Sequence, residues 1–193
     1  YNEIKKKIKN LNNNKIKVTL NKCGISNNNN EITMYIPCID KYEMTMWASL
    51  NKKLIIERMN KHLKFRYKKK FKFKKINIKT KKLDYFKYKA YFIKIDTEGY
   101  EFNAIKSSEK TIKTYNPLIL IEYNDSNYDK IYKFLSKYKY KRYEYTLFKS
   151  KIFLREIKQE RLKMIKKSSN SKNIFYINSI AKRRLDKNYI NFK

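Results

Sequence analysis

One hundred and ninety-three residues with 41% hydrophobic content fit one domain around one core, with no long linker to divide it. The formal charge of +32 suggests a nucleic-acid binder until the residues are counted: 42 Lys stand against 7 Arg, with 22 Asn but only 2 Gly, 2 Pro and 4 Ala. That is the mark of an A/T-rich genome, which spreads lysine over tolerant surface and leaves few of the arginines suited to phosphate or guanine recognition, so the charge argues against selected nucleic-acid binding.

Residues 1–14 place Ile4, Ile8 and Leu11 at helical spacing and end in asparagines, which predicts a short amphipathic helix. Residues 16–20 alternate apolar and polar as a strand does, and Cys23, Gly24, Ile25 and Ser26 follow as a bend. After an asparagine loop, residues 32–36 alternate again and predict a strand paired with the preceding one. Residues 37–49 read as loop and contain the lone Trp47, while 54–63 suit a helix or a longer strand pair ending near the lone His62. Residues 65–78 interleave apolar side chains, mostly aromatic, with lysine. Such a pattern suits either a strand with one charged face or stacking on single-stranded nucleic acid, and the strand is preferred.

Residues 91–124 organise the rest. An apolar run through Ile95 ends at Asp96, and Thr97, Glu98, Gly99, Tyr100 and Glu101 form an acidic turn. Phe102, Ile105 and Ile112 then mark a helix that closes near Tyr115, where Asn116 and Pro117 stop it. Leu118 to Ile121 form a second apolar run closed by Glu122, so the segment reads as strand, helix and parallel strand. Beyond it lie a helix over 127–137, a strand over 138–148, a basic helix over 155–167 and a closing strand over 174–177. The domain is expected to span residues 1–180, with 181–193 as a basic tail.

Ligands of open α/β sheets sit beyond the carboxyl ends of the strands, where Asp96, Glu98 and Glu122 all fall. The competing reading is that Glu98 and Glu101 serve the helix N-terminus. Cys23 and Cys38, without a C-x-x-C or histidine pair, read as free thiols in a reducing, cytoplasmic setting, and no metal site is expected. No apolar run reaches the length of a membrane span and no signal peptide is evident.

The stretch Ile95-Asp96-Thr97-Glu98-Gly99-Tyr100-Glu101, followed after a helix by Asn116-Pro117-Leu118-Ile119-Leu120-Ile121-Glu122, resembles the central motif of FkbM-type S-adenosylmethionine-dependent methyltransferases. Weaker pieces at 1–13, 18–26, 31–36, 48–50 and 80–86 agree in order, so the resemblance covers about residues 1–125. It implies a class I methyltransferase-like, Rossmann-like doubly wound α/β sheet, mostly parallel with an antiparallel final strand. It also implies a truncated N-terminus, since the family's glycine-rich donor loop has no counterpart here. The implied cofactor is S-adenosylmethionine and the implied reaction is O-methylation of a sugar or other metabolite, with a small-molecule or glycan acceptor. Asp96 is the implied base or donor-orienting acid, Glu98 and Glu122 the acceptor-holding acids, and Cys23, Gly24, Ile25 and Ser26 the segment beside the adenine. A basic module that binds nucleic acid or acidic polymers and an inactive truncated methyltransferase paralogue are the alternatives.

Overall fold

A computed structural model describes residues 2–11, 17–62, 71–123, 127–158, 173–185 and 190–192. In chain order the elements are α1 (Asn2–Leu11), β1 (Gly24–Ile25), β2 (Glu31–Ile39), β3 (Tyr42–Glu43), α2 (Lys52–His62), β4 (Phe71–Lys81), β5 (Phe92–Ile95), α3 (Glu101–Lys106), α4 (Glu109–Tyr115), β6 (Leu118–Glu122), α5 (Tyr128–Ser136), β7 (Lys141–Phe148), β8 (Lys151–Glu156), β9 (Asn173–Ile177), α6 (Ser179–Arg183) and β10 (Ile190–Phe192).

The strands form two sheets, one ordered β1-β4-β2-β3 and the other β10-β8-β7-β9-β6-β5. In the larger sheet β5 and β6 are parallel, from Phe92 beside Leu118 to Ile95 beside Ile121, with α3 and α4 as the crossover. Strand β9 lies antiparallel to both of its neighbours, β6 and β7. Its core is aliphatic and aromatic: Ile105, Ile112, Ile119 and Leu135 are sealed from solvent, and Tyr128, Tyr140 and Tyr176 lie among them. Burial disfavours the charged phenolate, so the Tyr128 hydroxyl is pushed up to about 12.

The crossover is two helices rather than one. Ser107 and Ser108 each turn a hydroxyl onto a carbonyl of α3, at 2.6 Å from Ala104 O and 2.6 Å from Ile105 O. Such side-chain bonds compete with helix propagation, and the chain restarts at Glu109. Asp84 accepts hydrogen bonds from Lys110 N and Thr111 N, both at 2.9 Å, and so satisfies the first turn of α4 from outside it.

The topology corrects several sequence expectations. The sheets are mixed rather than mostly parallel: β2 pairs antiparallel with β4 along nine residue pairs, and β7 pairs antiparallel with both β8 and β9. Residues 17–20 form no strand, and β2 takes β4, not the segment before it, as partner. Residues 37–39 continue β2, and 54–62 are helical. Arg155 and Glu156, expected to open a basic helix, belong to β8, since alternation against β7 wins over the charge pattern; residues 159–167 of that expected helix lie outside the described residues, as do 63–70 of the lysine-interleaved stretch. Residues 181–183 of the expected tail complete α6 and 190–192 form β10, which runs parallel to β8. In β4, Phe71 and Phe73 pack edge to face with each other and Phe73 with Tyr35. No helix among the described residues is long and apolar enough to cross a membrane.

Candidate active site

Strands β5 and β6 end side by side, which brings together acids 26 positions apart in the chain, Asp96 and Glu122. Glu98 returns toward both, and one carboxylate oxygen from each of Asp96, Glu98 and Glu122 lies within 4.8 Å of the others. The return requires a tight reversal: Glu98 has φ 50° and Gly99 φ 102°, the second a conformation for which glycine is the suited residue. Three oxygen donors at this spacing are of the hard type that suits a divalent cation or a polyhydroxyl ligand.

The two glutamates of the turn have opposite duties. Glu101 is 1% exposed, and its Oε1 accepts hydrogen bonds from Gly99 N at 2.8 Å, Thr97 Oγ1 at 3.2 Å and Thr97 N at 3.3 Å. Its Oε2 accepts from Asn127 Nδ2 at 3.2 Å, and the same amide reaches Gly99 O at 2.9 Å. Glu101 therefore closes the turn from beneath, as a buried carboxylate must when it lacks water. Glu98 is half-exposed and is gripped from outside: Arg58 of α2 donates to its Oε2 at 2.5 Å, and Ser49 donates its hydroxyl to the Glu98 carbonyl at 2.8 Å. These two contacts hold a non-glycine residue in the left-handed region, a conformation that costs on the order of 1 kcal/mol. Asp96 remains the most open of the three acids, with the ammonium of Lys94 on its own strand at 3.2 Å.

The segment expected beside the donor reaches the same turn. Ser26 is buried, and its Oγ lies 3.2 Å from the hydroxyl of Tyr100. Ile25 packs onto the core of the larger sheet. A Cβ on Gly24 would come within 3.2 Å of methyl groups of Ile78 and Thr80, so this glycine serves close approach between β1 and β4. Cys23 is half-buried and free. β1 is an edge strand, so among the described strands one side of its backbone faces no partner. A cavity of about 730 Å³ between Asn29, Lys82, Tyr85, Ser107 and Tyr138 lies elsewhere, since none of these expected site residues lines it. His62 packs edge-on against Trp47 at 5.9 Å.

Sequence reasoning missed Arg58, Ser49 and Asn127. For Arg58 a signal was present: it is one of seven arginines in a chain whose codon drift favours lysine, and a planar, forked cation suits a fixed carboxylate better than an ammonium does. Ser49 falls in one of the weaker stretches of the resemblance, 48–50, and Asn127 carried no such signal.

No curated protein and no solved structure matches the chain significantly. The family model of the methyltransferase FkbM domain matches residues 2–142, which is most of the 193 residues, and the chain belongs to that family.

Proposed function

We propose that this chain methylates a hydroxyl group of a small-molecule or glycan acceptor, with S-adenosylmethionine as donor. The observation that carries the reading is the convergence of Asp96, Glu98 and Glu122 at the carboxyl ends of two parallel strands in a chain of this family. The donor, when bound, supplies an electrophilic methyl group.

The described residues fit that donor in a limited way. The side chains of Ile25 and Ser26 are used within the fold and Gly24 has none to offer, so the segment presents the open backbone edge of β1 and the Cys23 side chain. Hydrogen bonds from a strand edge suit a flat heterocycle such as adenine. Asp96, the most exposed of the three acids, is the group that accepts the proton of the acceptor hydroxyl. Glu98 and Glu122 orient the acceptor through its other hydroxyls, and Arg58 holds Glu98 in place.

Calorimetric titration of the chain with S-adenosylhomocysteine tests the donor. Saturable binding at one site is expected, and no binding by the folded chain overturns the reading for this chain. With an acceptor in hand, Asp96→Asn lowers the rate of methyl transfer about a hundredfold while S-adenosylhomocysteine still binds. An unchanged rate removes Asp96 from proton transfer.

A further inference from the structure

Among the described residues, the hairpin of β7 and β8 outgrows its sheet. There β7 pairs with β9 from Lys141 to Tyr143, whereas its pairing with β8 continues from Tyr143 to Phe148, and β10 pairs with β8 from Ile152 to Leu154. Among the described strands the tip is thus a two-stranded ribbon, turned by Lys149 and Ser150, both with positive φ.

Along this ribbon exposure rises where hydrophobicity should be hidden. Tyr143 is buried and Tyr145 half-buried against Phe175, but Leu147 is 69% and Phe148 61% exposed. Consecutive strand residues point to opposite faces, so Leu147 and Phe148 make both sides of the tip apolar. A flat protein surface would cover one of them and leave the other in water. A surrounding apolar phase covers both.

The charges at the tip are complementary to one such phase. Residues 145–153 contain Lys149 and Lys151 and no acid. The flanking acids of the hairpin already face cations, Glu156 with Lys141 at 3.0 Å and Glu144 with Arg155 at 3.8 Å. We propose that the β7–β8 tip is a membrane-docking element that inserts Leu147 and Phe148 into the interface of an anionic lipid bilayer while Lys149 and Lys151 contact the headgroups. Aromatic and aliphatic side chains with neighbouring lysines are the combination that binds such interfaces, through buried apolar area and electrostatic attraction together.

Co-sedimentation of the whole chain with vesicles of phosphatidylcholine, with and without phosphatidylglycerol, tests this. Binding to the phosphatidylglycerol vesicles is expected, and its absence overturns the proposal. Leu147→Asn with Phe148→Asn lowers the partition coefficient at least about tenfold, and Lys149→Gln and Lys151→Gln lower it about fivefold each. These positions are exposed, so the variants should retain the parent's circular dichroism. A double Asn variant that binds as tightly as the parent would mean that the overall charge of +32 holds the vesicle, and it would overturn the proposal. Phe148→Trp supplies an independent readout: its emission shifts to the blue on adding anionic vesicles, and an unshifted emission overturns insertion.

Discussion

The two sheets of this chain are made from the same lysine-rich material and are held in different ways. The six-stranded sheet and its helices bury a continuous set of branched aliphatic and aromatic side chains, including Ile105, Ile119, Leu135 and Tyr176. The four-stranded sheet with α2 buries the apolar side chains of Ile36, Ile55 and Met59, together with the polar Ser26, Ser49 and Thr80. Much of its seam with the larger sheet is polar: Ser26 on Tyr100, Ser49 on the Glu98 carbonyl and Arg58 on the Glu98 carboxylate. All three contacts land on the turn between β5 and α3. Apolar burial is non-directional and makes the fold stable, whereas hydrogen bonds and ion pairs contribute little net energy but fix direction. The difference teaches that stability resides in one sheet and the aim of the acidic cluster in the seam.

Three substitutions sharpen or break that contrast. Ile119→Ala, in the centre of the larger sheet with no exposed surface, is expected to cost about 2–5 kcal/mol in chemical unfolding. A loss well under 1 kcal/mol would mean that the larger sheet is not the seat of stability. Glu101→Ala leaves the donors of Thr97, Gly99 and Asn127 without their acceptor and is expected to cost about 1–3 kcal/mol, with faster amide exchange at Gly99. Unaltered exchange there would show that the turn holds its shape without the buried carboxylate. The smallest effect on stability belongs to Arg58→Gln. Both partners of that ion pair are more than a third exposed, so the loss is expected to stay under about 1 kcal/mol, while acceptor turnover falls because Glu98 is released. If Arg58→Gln destabilises the chain as much as Ile119→Ala, the polar seam carries stability and the contrast fails.

Legibility in the sequence followed physical type. The unit of β5, crossover and β6 was readable because its signals are local: apolar runs, an acidic turn with a glycine, and an Asn-Pro stop. The same locality located Asp96, Glu98 and Glu122, though not which glutamate is buried. Residue type is identical at 98 and 101; the choice depends on Asn127 lying beneath one of them and Arg58 on α2 beside the other. The antiparallel pairing of β2 with β4 escaped notice because β2's partner lies beyond α2 in the chain, and alternation alone cannot say which strand a strand will meet. The hairpin partner β8 was hidden by Arg155 and Glu156, whose charges suit an exposed helix as readily as an edge of a ribbon.

By itself, then, the sequence determined the parallel strand unit, the position of the acids at the carboxyl ends of its strands and the resemblance to FkbM-type methyltransferases, because each follows from near neighbours along the chain. Only the tertiary structure decided that three carboxylates converge, that Arg58 on α2 and Ser49 just before it aim one of them, and that Leu147 and Phe148 stand out in solvent. Those facts depend on which distant segments meet. That is settled by packing and register, neither of which a residue carries in its own identity.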